Sequence, residues 1–204
     1  MPMYFRKHGY AAVGAGKIFH HTAGFNPPDQ WADFQRLVFR DDPWFRGSKI
    51  NYPWSRHESN PKGYPFCGMP GTPHEGDWGV IPGKEEKDYD DSKTADYAVR
   101  FLGKKHEKPF FLACGIFRRH LPWYTPKRFF DLYPLESIRL PKTPAEDLDD
   151  VPAEGRVLSA KRRAEFLNIK QHGKWKEAVR AYLASISFAD AQLGRLLDAL
   201  EQSP

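Results

Sequence analysis

The hydrophobic pattern of this chain is strongest at its C-terminal end. From Lys174 to Gln202, Trp175, Ala178, Val179, Tyr182, Ile186, Ala189, Leu193, Leu196, Leu197 and Leu200 recur with a 3.6-residue period. That period predicts a long amphipathic helix. A second helix is expected from Asp91 or Ser92, either of which can cap it, to about Lys105, with Ala95, Ala98, Val99 and Leu102 as its apolar stripe. "KPFFLACGIF" (108–117) is a continuous apolar run, the mark of a strand buried on both faces. Helix, short loop and buried strand in succession point to an α/β fold. Near the N-terminus, residues 2–8 are helix-like and Gly9 stands where a helix-ending glycine is expected. Tyr10 to Ala15 then read as a short buried strand of small residues. "DQWADFQRL" (29–37) and "TPKRFFDLYP" (125–134) are each expected to hold a short helix, the second starting near Pro126.

Between these elements the periodicity fails. Residues 22–82 are rich in Pro, Gly, Trp and Asn, and residues 135–165 are rich in Pro and acidic side chains. The first stretch carries Trp31, Phe39, Trp44, Phe45, Tyr52 and Trp54, so an ordered, packed excursion is expected rather than disorder. The second reads as a surface connection. The organisation expected is one unit, 1–204. Its parts are a helix end with strand and turn (1–21), the excursion (22–82) and a helix-strand unit (83–134). A surface connection (135–172) and the long helix (173–204) follow. The chain begins inside a helix with no N-cap and stops just as the long helix finishes, which raises the expectation of truncation at each end. Met1 is not followed by a signal peptide, and no apolar run reaches the length of a membrane span.

Composition narrows the partners. The net charge is +5, but Lys and Arg are interleaved with Asp and Glu along most of the chain. A nucleic-acid surface would concentrate its basic residues, so an anionic small substrate is the better match. Two cysteines, Cys67 and Cys114, are too few for a disulfide framework.

Two short stretches carry candidate chemistry. "GAGKIFHH" (14–21) has the glycines and lysine of a phosphate loop. A Walker loop, however, needs Gly at position 11 and Ser or Thr at position 18, where this chain has Ala11 and Ile18. A dinucleotide fingerprint needs a glycine at position 19, which is Phe19. Adjacent His20 and His21 cannot form an i, i+4 metal pair. What remains is Lys17 and His20 just past the end of a strand, where ligands of open α/β sheets bind. "FRRHLPW" (117–123) sits in the same position after the second strand and delivers Arg118, Arg119 and His120. If the two strands share a sheet, both cationic ends converge on one anion. Either stretch alone could equally be a solvated basic turn.

At these residues the sequence resembles the type I sulfatases. "YFRKHGYAAVGAGKIFH" resembles their Gly-Lys-x-x-His segment in the iduronate-2-sulfatase-like branch. "KPFFLACGIFRRHLPWYTPKRFFDLYPLESIRLP" resembles the same branch's strand, histidine and Tyr-Pro-Leu stretch, and "YLASISFADAQLGRLLDAL" a helix that follows in the family. The three blocks stand in family order and cover 70 of the 204 residues. The resemblance implies an alkaline-phosphatase-like α/β fold, here a partial three-layer sandwich with a long irregular excursion. It also implies hydrolysis of a sulfate ester, with a sulfated carbohydrate or similar ester as the partner. By resemblance Lys17 contacts the sulfate, His20 assists the chemistry of the nucleophile's hydroxyl, and His120 contacts the sulfate near the leaving oxygen. Arg118, Arg119 and Trp123 are expected to bind substrate beside them.

The family's cofactors are Ca2+ and a formylglycine made in a Cys-x-Pro-x-Arg signature. That signature does not occur here: Cys67 lies in "CGMPG", with Pro70 one place late and Gly71 in the arginine position. Cys67 is expected to be a buried loop thiol and Cys114 a core residue. "RDDPW" (40–44) and "EDLDD" (146–150) offer acidic pairs, but neither follows a buried strand, so both read as solvated loop and no metal ligand is expected. Arg119 stands where the family is expected to have proline before the histidine, which bears on the shape of the His120 loop. The reading is a sulfuric ester hydrolase portion that carries sulfate-side residues without nucleophile or calcium ligands, and is inactive alone. A periplasmic or secreted location follows if the parent protein is like its family. A phosphate or phosphonate ester hydrolase of the same fold and a non-catalytic polyanion-binding remnant are the alternatives.

Overall fold

The computed structural model describes residues 1–19, 28–35, 63–72, 76–144 and 146–204. The expected α/β class is what is found, and the parallel sheets match a sulfatase-like fold. Helix α1 (Pro2–Lys7) leads through a turn at Gly9 into strand β1 (Ala11–Gly16). Strand β2 (Asp33–Phe34), β1 and β4 (Phe110–Gly115) form a parallel sheet in the order β2-β1-β4. The β1–β4 register is unbroken, from Ala11 opposite Phe110 to Gly16 opposite Gly115. A smaller parallel pair joins β3 (Trp78–Gly79) to β5 (Trp123–Tyr124).

Helix α2 (Asp90–Leu102) packs on β1 and β4, and α5 (Trp175–Glu201) packs on α2 and on the short α3 (Lys127–Asp131). The main core lies between the β3–β5 pair, α3 and α5. Trp78, Tyr89, Tyr124, Phe129 and Phe188 are almost wholly buried there. Buried Asp77 ties this region together: its carboxylate accepts from the Phe66 and Cys67 amides and the Tyr124 hydroxyl at 2.8–2.9 Å.

Several expectations are corrected. Of the helix expected over 29–37, the described residues hold only a single 3-10 turn, Pro28–Gln30, and no α-helix. Trp31, 5% exposed, and Phe34 instead dock on β1, while the Ala32 and Gln35 amides donate to Ala12 and Gly14 of that strand. Their spacing is helical, but pairing with a sheet edge decides the local conformation. Strand β4 is half-buried along its length rather than buried on both faces, because β1 holds the central place in the described sheet. The segment read as a surface connection contains α4 (Ala153–Gln171), which starts directly after Pro152. Its described side chains are mostly exposed, so no buried stripe marks it in the sequence. The acidic 146–150 stretch is solvent-facing turn, as expected. Phe39, Trp44, Phe45, Tyr52, Trp54 and the 40–44 acidic pair lie outside the described residues.

Candidate functional site

Two glycines bring the strand ends together. Gly16 ends β1 with φ +78, and a Cβ there would collide with the Gly115 carbonyl and lie 2.7 Å from Thr94 Cγ2. A Cβ on Gly115 would collide with the backbone of Lys17. Only because both positions lack a side chain can the Lys17 amide donate to Gly115 O at 2.9 Å. Gly16 and Gly115 are therefore packing residues where the turn after β1 passes the end of β4, while Gly14 leaves room for Trp31 and Phe34. The turns that follow β1 and β4 leave from the same end of one sheet.

Phe117, buried just beyond β4, lies between those turns. The Lys17 ammonium sits over its ring, 5.0 Å from the centroid, and the His120 ring stacks on it at 4.9 Å with 28° between planes. The Lys17 ammonium and the His120 ring thus rest on one aromatic side chain, the last residue of the apolar run 108–117. A cation over an aromatic face is held by the ring quadrupole, and the ring shields it from water on that side. Partial burial lowers the Lys17 pKa below the ordinary lysine value, since desolvation penalises the charged form.

The His120 loop is built from three further contacts. His120 N donates to Phe117 O at 3.2 Å and closes the turn. His120 Nδ1 lies 2.7 Å from Leu121 O, which can only accept, so Nδ1 carries a proton and Nε2 is the nitrogen left for exchange. Arg119 adopts φ 96, and its carbonyl accepts from Trp123 Nε1 at 3.0 Å. A proline is locked near φ −65°, so this turn has a shape that proline at position 119 could not take.

The other predicted residues are distributed around this pair. Arg118 turns inward: it is 4% exposed and its Nε donates to Tyr124 O at 2.8 Å. Arg119 and His120 are exposed. Trp123 is half-buried between the rings of Trp78 and Tyr182. His20 lies outside the described residues. A residue misassigned at first is Asp91. Instead of capping α2, its carboxylate accepts from the Phe117 amide at 2.7 Å and the Arg118 amide at 2.8 Å. Its position two residues into α2 was legible; its partner across the fold was not.

A cavity of about 380 Å³ lies elsewhere, lined by Phe66, Trp78 and Phe130 with Lys127, Lys174 and Arg180 among its charged groups. Those cations are engaged by Asp131, Glu177 and the Phe130 carbonyl, and none of Lys17, Arg119 or His120 lines it. Among the described residues no three His, Cys, Asp or Glu side chains gather as a metal site, so these residues do not form a calcium cage. Cys67 does not fit a formylglycine precursor: it is 5% exposed, its sulfur 3.5 Å from Thr72 Oγ1. No described helix is long and apolar enough to cross a membrane.

Comparison with known proteins gives the family of the chain. The sulfatase family model matches residues 1–204. A sulfatase of Formosa agariphila is 34% identical over 205 residues, covering 100% of this chain and 38% of its own length. Human iduronate 2-sulfatase is 32% identical over 219 residues, covering 98% of this chain and 36% of its own. An arylsulfatase of Clostridium perfringens is 30% identical over 122 residues, 59% of this chain and 24% of its own length. The chain therefore spans well under half the length of these relatives. With the family match running from the first residue to the last, the chain belongs to the sulfatase family.

Proposed function

We propose that this chain supplies the sulfate-contacting wall of a sulfuric ester hydrolase, with Lys17, His20 and His120 as its working side chains. The observation that carries the reading is the shared Phe117 platform, which holds the Lys17 ammonium and the His120 imidazole at one end of the sheet. A sulfuryl group in transfer spreads negative charge over its oxygens, and a preorganised cation stabilises that charge without reorganising. Lys17 meets that need. With Nδ1–H of His120 held by Leu121 O, Nε2 is the nitrogen that faces exchange: it takes up a proton to form the imidazolium and gives that proton to the leaving oxygen. Trp123 and Arg119 form the neighbouring rim, where a sugar ring could stack or hydrogen-bond. The iduronate 2-sulfatase relatives favour a sulfated sugar as substrate class and, with it, a secreted or periplasmic parent.

The test is binding of inorganic sulfate to the 204-residue chain, followed calorimetrically. Lys17→Ala is expected to weaken it about tenfold, the loss of one charge-assisted contact. Because burial lowers the Lys17 pKa, wild-type affinity should fall as pH rises, starting below the range of an ordinary lysine. In that window binding should take up protons, since a bound anion favours the charged amine. Affinity indifferent to both Lys17 and alkaline pH overturns the assignment. The chain by itself is expected to hydrolyse no aryl sulfate; metal-dependent turnover by it would refute the view that nucleophile and calcium ligands lie outside these residues.

A further inference from the structure

We propose that Asp91 is the positioning residue of this site, fixing Phe117 and through it both Lys17 and His120. The sheet ladder stops at Gly115, so the next amides have no strand partner. A buried N–H without an acceptor costs as much as a lost hydrogen bond. Asp91, 2% exposed in the first turn of α2, supplies both acceptors: Oδ1 takes the Phe117 amide at 2.7 Å and Oδ2 the Arg118 amide at 2.8 Å. These are charge-assisted distances. A buried carboxylate is costly unless its oxygens are satisfied, and here the N-terminal end of a 13-residue helix adds a favourable field. The negative charge is also felt by Cys114, whose thiol is held high chiefly by burial and in part by Asp91.

The consequence runs through one residue. With Phe117 N pinned by Asp91 and Phe117 O accepting from His120 N, the backbone on both sides of the ring is fixed. The ring then presents its face to Lys17 and stacks with His120. Asp91 touches no substrate in this arrangement; it acts by removing the freedom of the platform. The inference rests on the sulfate reading only for its effect on anion affinity.

The experiment is Asp91→Asn in the full chain, read by NMR of the His120 ring protons and by titration with inorganic sulfate. The amide retains shape but places an NH2 where one backbone N–H needs an acceptor. In a folded variant the Phe117 ring-current shift of His120 is expected to be lost, with sulfate binding weakened about tenfold. A folded variant whose His120 signals match wild type overturns the proposal. If wild type does not bind sulfate, the sulfate reading fails and the His120 signals alone decide the positioning role. Should Asp91→Asn not fold, hydrogen exchange of wild-type Phe117 and Arg118 amides decides. Strong protection of both upholds the clamp, and exchange at the rate of an open loop overturns it.

Discussion

Gly115→Ala is the sharpest probe of the close approach between the end of β4 and the Lys17 backbone. Gly115 is not among the positive-φ glycines, so alanine there carries no dihedral strain and its whole cost is space. The added methyl would meet three backbone atoms of Lys17: it would collide with the carbonyl carbon and oxygen and lie 2.6 Å from the nitrogen. Backbone cannot swing aside as a flexible side chain can, so the two chains must separate. Separation breaks the 2.9 Å bond from Lys17 N to Gly115 O, worth about 1 kcal/mol. Overpacking adds about 1–3 kcal/mol. The expected destabilisation is thus about 2–4 kcal/mol, or about 5–15 °C in Tm for a domain of this size. Gly9→Ala is the matched control, with φ +86 but no atom within 4 Å of the new methyl. It should cost only the left-handed strain, about 1 kcal/mol. Thermal and urea unfolding of both variants give the comparison. If Gly115→Ala is no more damaging than Gly9→Ala, the close approach of the two strands does not exist as described.

Two further outcomes are expected. Arg119→Gly should leave stability unchanged or raise it by up to about 1 kcal/mol, since φ 96 suits glycine, whereas Arg119→Pro should cost more than about 1 kcal/mol. A proline variant as stable as the glycine variant in urea denaturation would refute the left-handed turn before His120. Cys114, with its thiol pushed up to about 12, should be alkylated by iodoacetamide at pH 8 about a hundredfold more slowly than a free thiol. A rate equal to that of the unfolded chain would show that the strand does not shield it.

The sequence disclosed most of the elements that have a strong period and little of what depends on partners. β1, α2, β4 and α3 appear close to their expected spans, because each carries its own signal: small apolar runs, a spaced stripe, or a proline start. The two-residue strands β2, β3 and β5 exist only through their neighbours and have no period to read. That Lys17 and His120 each follow a strand was legible, because position after a strand is a local property. Phe117 and Asp91 were not, because their roles come from a register that joins residue 91 to residue 117 and residue 17 to residue 115. Asp91 is instructive: Asp in the first helical turn is expected from the dipole alone, so the local explanation already looked complete.

The long helix α5 shows why even a correct period can name the wrong face. Its boundaries fall within a residue or two of those expected. Yet Tyr182, Ile186, Leu193, Leu197 and Leu200, members of the predicted stripe, are 37–53% exposed. The buried face runs instead through Ala178, Ala181, Ala184, Ser185, Phe188 and Gln192. Across from it lies α2, and the Arg195–Asp96 ion pair links the two helices. The small residues of α5 let its backbone pack closely on its neighbours, and Phe188 fills the space beside Tyr89 and Phe129. A period weighted by hydrophobicity is dominated by leucine and isoleucine, and so points to the bulky side. Close packing selects for volume instead, and here it selects alanine. The two criteria agree when a helix has one apolar face; α5 has two, and only its neighbours decide which of them is the core.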